Sequence, residues 1–185
     1  MLPIVAAQVA AAQAVVVTKA EIAGSSVLDR AVSAIASYNP LLEPIILVNR
    51  AARVAAAFSP GTVGVSRSRL VADQPMGHPR IKVFRIEWAA PVAWFAISDW
   101  LDGLSGALGD RMLRVKGVLD VEGCPDALLV ESVGTAFSTP RRLVEQAGTA
   151  RGLVVIARDV DVRELSDLPG TTATSASISE TIGRL

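Results

Sequence analysis

Gly109-Asp110-Arg111-Met112-Leu113-Arg114-Val115-Lys116-Gly117-Val118-Leu119-Asp120-Val121-Glu122 holds the pattern on which the fold turns. From Arg111 to Val121, Leu113, Val115, Leu119 and Val121 share one side, and Arg114, Lys116, Asp120 and Glu122 share the other. A period of two sends alternate side chains to opposite faces, so the stretch is a half-buried strand with a charged, partly basic outer face. Downstream, Gly123-Cys124-Pro125-Asp126 turns the chain and Leu128 to Val133 returns as a second strand. Gly152 to Val160 is a last apolar strand, ending in Arg158-Asp159, with a short helix expected near Arg163 to Leu168. Upstream, Ile81 to Trp88 alternates, with Phe84, Ile86 and Trp88 opposite Arg85 and Glu87. Pro91 then opens a helix whose stripe of Trp94, Ile97, Leu101, Leu104 and Leu108 ends at Gly109. The tail from Pro169 to Leu185 is rich in Thr and Ser and reads as disordered.

The first fifty residues follow another rhythm. Val5 to Ala12 is alanine-rich and helical, and Ala14 to Val17 is a β-branched run that reads as a buried strand. Gly24-Ser25-Ser26 starts a helix with Leu28, Ala31, Val32 and Ile35 on one face, stopping at Asn39-Pro40. Pro44 to Val48 reads as another buried strand, so the order is that of a parallel-sheet unit. Two strands leave edges and faces uncovered, and the unit is incomplete. Between Phe58 and Pro79 the periodicity is lost, and a linker is expected there.

At 185 residues there is room for one well-buried domain plus a fragment of another. Eighteen basic and eighteen acidic side chains cancel, so no net field favours nucleic acid or an anionic membrane. The apolar opening, Met1 to Val17, has no positive charge before it and contains Gln8 and Gln13, unlike a signal peptide or a membrane helix. The expected setting is cytoplasmic. One cysteine, Cys124, and one histidine, His78, cannot close a zinc site of Cys and His within the chain.

No G-x-x-x-x-G-K-[ST] loop and no G-x-G-x-x-G after a strand is present, so the backbone cradle for nucleotide phosphates is lacking. His78, between Gly77 and Pro79, is a poor partner for a catalytic serine. Asp159 and Asp161 suit the capping of the following helix better than acid/base work. Arg111, Arg114, Lys116, Arg141, Arg142 and Arg158 could line an anion-binding face, although interspersed acids favour an ordinary solvated surface. The sharpest local motif is Val15-Val16-Val17-Thr18-Lys19-Ala20-Glu21, a strand ending in T-K-x-E. GTPases end a strand in N/T-K-x-D, where the lysine stem packs on guanine and the carboxylate accepts two hydrogen bonds from the base edge.

Taken in order, Gln8 to Glu21 and then Ile35-Ala36-Ser37-Tyr38-Asn39-Pro40 resemble the last part of the GTPase domain in the CobW family. Trp94-Phe95, Gly109 to Leu119, Val121-Glu122-Gly123 and Leu153 to Asp161 resemble that family's C-terminal domain. The resemblance implies a GTP-dependent metallochaperone ancestry, tied to zinc or cobalt delivery and cobalamin biosynthesis. It implies GTP, magnesium and zinc or cobalt as family ligands, with no metal or cofactor held by this chain alone. The phosphate loop, switch regions and cysteine-rich metal motif precede the N/T-K-x-D strand in the family, and this chain does not contain them. Only Thr18, Lys19 and Glu21 carry over, as guanine contacts, and Glu21 departs from the usual aspartate by a methylene.

The fold class expected is α/β: a C-terminal α+β domain with a mixed or antiparallel sheet, preceded by a partial parallel α/β GTPase-like segment. The expected parts are 1–57, the end of a P-loop GTPase-like domain; 58–80, a linker; 81–168, the CobW C-terminal-like domain; and 169–185, a disordered tail. Such a truncated chain would be a binding or regulatory domain without its own GTPase site or catalytic residues. Its partner would be a protein or the missing GTPase half, with no nucleic acid and no membrane. The alternative is a stand-alone protein- or anion-binding module using the basic face at Arg114 and Lys116; a gene fragment also fits the pattern.

Overall fold

The strand containing Arg114 lies within a seven-stranded sheet in the computed structural model, which describes residues 2–47, 49–58, 80–143, 150–172 and 174–180. Helices α1 (Leu2–Ala11), α2 (Ser25–Tyr38) and α3 (Arg50–Phe58) come first. Then follow β1 (Ile81–Trp88), α4 (Trp94–Leu108), a 3-10 turn (Gly109–Arg111), β2 (Met112–Leu119), β3 (Ala127–Val133), β4 (Ala136–Phe137), β5 (Arg141–Leu143), β6 (Gly152–Arg158), α5 (Val162–Ser166) and β7 (Ala176–Glu180). The sheet order is β4-β3-β2-β6-β1-β7, with β5 beside β3, and every one of these pairings is antiparallel. The linker expected over 58–80, His78 included, lies outside the described residues apart from its two ends.

One face of the sheet is covered by α4. Phe84, Ile86, Val115, Leu119, Leu153 and Val155 meet Ile97, Trp100, Leu101, Leu104 and Leu108 there, as the spacing of three and four in α4 requires. Trp100 is fully buried, stands edge-on to Trp88 with ring centroids 5.8 Å apart, and donates through Nε1 to the Thr171 hydroxyl at 2.8 Å. The other face is not left to solvent. Ile81, Val83, Leu113, Val154 and Ile156 pack against Ala6 and Ala10 of α1, with Tyr38 and Leu41 beside them. The alanines of α1 have a physical use in this contact: short side chains let the helix axis approach the sheet closely.

Three expectations need correction. The tail contains a strand: β7 pairs along β1, Phe84 opposite Glu180 and Trp88 opposite Ala176, so the sheet gains an outer strand. Pairing along the exposed edge of β1 supplies the order that Ser/Thr-rich composition did not announce. Leu113 does not share a face with Val115, because the β2 register shifts between Met112 and Arg114. The bulge turns Met112 towards α4 and Leu113 towards α1. The two buried N-terminal strands reduce to a single parallel bridge, Val16 with Ile45, and Val16, Ile46 and Leu47 are exposed. No further strand among the described residues flanks that pair. In addition, α1 of the N-terminal segment is packed on the C-terminal sheet.

Candidate functional site

The chain leaves α1 at Ala11 and reaches the Val16–Ile45 bridge, closed by Val17 N–H to the Ile45 carbonyl at 3.1 Å and Ile45 N–H to the Val15 carbonyl at 2.8 Å. It then turns sharply. Lys19 adopts φ +61°, the left-handed region that is uncommon for a residue with a side chain, and its carbonyl accepts from Ile22 N–H. Opposite stands α3, whose start is fixed by Asn49: its Oδ1 accepts from Ala51 N–H at 2.8 Å and Ala52 N–H at 3.2 Å. Between the turn and the helix opens a groove of about 340 Å³, lined by Val16, Thr18, Lys19, Glu21, Val54, Ala57 and Phe58. All three residues singled out in T-K-x-E therefore come together on one wall.

Chemically, the groove offers an apolar floor and one cation, one hydroxyl and one carboxylate on its rim. Phe58 is 86% exposed, an aromatic surface held at the edge of a cavity. A flat heteroaromatic ring with hydrogen-bond donors on one edge fits that arrangement. Val54, Ala57 and Phe58 were not anticipated as a wall, although the sequence Arg50–Phe58 does place them three and four residues apart on one side of a helix.

The basic face at β2 is different from its reading as a docking surface. Arg114 is 3% exposed, and its Nη1 donates to the carbonyls of Ala11 at 3.0 Å and Ala12 at 2.9 Å. Burial pulls its pKa down, with the charge of Glu131 acting in the opposite direction. Lys116 pairs with Glu131 across the β2–β3 ladder at 3.0 Å, and Arg141 with the same carboxylate at 2.9 Å. Arg111 meets Glu164 at 2.9 Å and Arg158 meets Asp110 at 3.1 Å. Five of the six cations named for that face, Arg111, Arg114, Lys116, Arg141 and Arg158, thus have a carboxylate or carbonyl partner within the chain, which weakens the face as an open anion site.

The carboxylates at the end of β6 are structural. Asp161 accepts from Arg163 N–H, and Glu164 reaches back to Asp161 N–H at 2.9 Å, forming a capping box on α5. That backbone contact, and then the Arg111 guanidinium, hold the Glu164 carboxyl below the usual carboxylate range. Asp159 pairs with Arg80. Among the described residues no group of three or more His, Cys, Asp or Glu is placed to hold a metal ion.

Residues 81–168 match the family model of the cobalamin synthesis protein cobW C-terminal domain. Residues 81–168 are a CobW C-terminal domain. Two solved structures also resemble the chain, each over 92% of its length at 19% identity and a TM-score of 0.53. One is the Zn(II)-bound YjiA GTPase from E. coli, of which 54% is covered; the other is a Zn(II)-bound triple mutant of YjiA GTPase, of which 52% is covered. The chain thus spans about half the length of these structures. Because 92% is far more than the CobW C-terminal domain can supply, the likeness in fold takes in the N-terminal segment that carries the groove. No curated protein matches the chain.

Proposed function

We propose that this chain is a binding and regulatory piece of a CobW-type, GTP-dependent metallochaperone, able to recognise the guanine base but not to process its phosphates. The observation that carries this reading is the convergence of Thr18, Lys19 and Glu21 with an apolar helix wall on one groove, in a chain that also contains a CobW C-terminal domain. In the groove the Lys19 stem packs on the ring, the Glu21 carboxylate accepts two hydrogen bonds from the base edge, and Val54, Ala57 and Phe58 cover the other side. The residues present fit a base. They do not fit a triphosphate, for which the chain has no glycine-rich cradle or P-loop lysine. Hydrolysis of GTP then requires residues outside this sequence, contributed by a partner chain or a missing GTPase half. Under this reading zinc or cobalt is the cargo of the assembled system, with cobalamin biosynthesis as one destination, and the setting is the cytoplasm. No helix of the described residues is long and apolar enough to cross a membrane.

Titration of the purified chain with guanosine and adenosine, followed by amide shifts of residues 16–21, tests the reading. Guanosine is expected to bind about tenfold or more better than adenosine, because only guanine presents two adjacent donors to one carboxylate. Glu21→Gln abolishes the preference, and Glu21→Asp, lacking the extra methylene, strengthens it. Equal binding of the two nucleosides, or turnover of GTP with no added partner, would contradict the proposal.

A further inference from the structure

The last four carbonyls of an α-helix have no donor within the helix. At α1 two side chains from far along the chain supply donors to three of them and to the Ala12 carbonyl just beyond the helix. Asn39, fully buried, donates through Nδ2 to the carbonyls of Val9 at 3.1 Å, Ala10 at 2.9 Å and Ala12 at 3.2 Å. Arg114, from the middle of the CobW C-terminal domain, donates to Ala11 and Ala12. Its Nε is buried without a hydrogen-bond partner among the described residues. Taking a guanidinium out of water is costly, and here the compensation is the negative end of the α1 dipole together with two carbonyls. A long apolar side chain would cover the same stretch of sheet without that cost. What it could not do is fix the position of Ala11 and Ala12.

Those two residues are where the base-contacting segment begins. From Ala12 the chain runs without a regular element to Val16, whose bridge to Ile45 sets up the Thr18–Glu21 turn. Asn39 shares the Ala12 carbonyl with Arg114 and adds those of Val9 and Ala10, from the end of α2, six residues before Ile45. Both strands of the bridge are therefore anchored at one buried knot, and the domain's own strand β2 holds the centre of it.

We propose that Arg114, with Asn39, is a positioning residue for the groove: by holding the C-terminal carbonyls of α1 it sets where residues 13–21 leave the sheet, and so couples the groove to the CobW C-terminal domain. The ligand half of this inference rests on the base-groove reading. Coupling of this kind is reciprocal, so guanine binding and any event that shifts β2 must influence one another by the same factor.

The test compares the full chain with Arg114→Met, which keeps an apolar stem and removes every donor, and with Arg114→Lys, which restores a donating cation. Hydrogen exchange and guanosine titration are read on each. In Arg114→Met the amides of Val17 and Ile45 are expected to exchange about tenfold or more faster, the β1–β6 amides to keep native protection, and guanosine affinity to fall about tenfold. Arg114→Lys is expected to fall between the two. Native exchange at Val17 and Ile45 in Arg114→Met overturns the inference, as does unchanged guanosine affinity. Should Arg114→Met lose protection throughout the sheet, Asn39→Ala releases the shared Ala12 carbonyl from the α2 side: opening at Val17 and Ile45 supports the inference and native exchange there overturns it. A native chain that binds no guanosine overturns the base-groove reading, whereas the exchange measurement still decides whether Arg114 holds the segment.

Discussion

Glu131 lies between two cations, Lys116 on the neighbouring strand and Arg141 on β5. Burial pushes its carboxyl up, but the hydrogen bonds and charges of Lys116 and Arg141 together outweigh burial and hold it below the ordinary carboxylate range. A carboxylate depressed in the folded state adds stability that is complete above its unfolded pKa and is lost as pH falls through the folded value. Glu131→Gln is therefore expected to lower stability at neutral pH by about 1–3 kcal/mol, since Lys116 is left largely buried without its partner. Urea denaturation of the two proteins should converge on acidification below about pH 4; a gap that stays constant with pH would contradict this account. The role of Arg114 was not legible at this scale. Alternation along β2 correctly puts it opposite Val115, but a period of two says only that there are two faces, and nothing about whether the second meets water or a helix that ends 103 residues earlier in sequence. The Asp161–Glu164 box was half legible: a carboxylate before a short helix signals a cap, while its reciprocal contact emerges only with the backbone in place.

Elements were legible where one pattern decides. The stripe of α4 and the alternation of β1 each bury a face whose partner is close in sequence, and both lie where the periodicity puts them. The element that escaped was β7. Ala176 and Ile178 turn inward and Ser177 and Ser179 outward, a true period of two, but the inward side chains are few and mostly small. Strand formation there depends on the free edge of β1 rather than on local preference. A chain ending at Ser175 would leave that edge unpaired from Phe84 to Trp88 and uncover Ile86 and Trp88. Its melting temperature is expected to fall by more than about 3 °C, as a loss above about 1 kcal/mol implies for a chain of this size. Thermal denaturation of the shortened chain at the native Tm would show that β7 is an appendage.

For the whole molecule, α1 joins the groove-bearing segment to the sheet of the CobW C-terminal domain. The α/β class and the antiparallel C-terminal sheet followed from periodicity, and the family from ordered residues in both halves. The packing of α1 on the sheet could not be read, because the contact is long-range and made by alanines, which suit any close interface. The chain thus has a groove lined by Thr18, Lys19 and Glu21, which the proposed function assigns to a base, tied to a CobW C-terminal domain, without a phosphate-binding motif in its sequence. Affinity should accordingly depend on the base alone. Titrating the purified chain with guanosine and with GDP in parallel tests this most directly. Equal affinities within about threefold, far less than the 10²-fold or more that even a few charge-assisted phosphate contacts would add, are the expected result; GDP binding a hundredfold more tightly than guanosine would reveal a phosphate site and contradict the account.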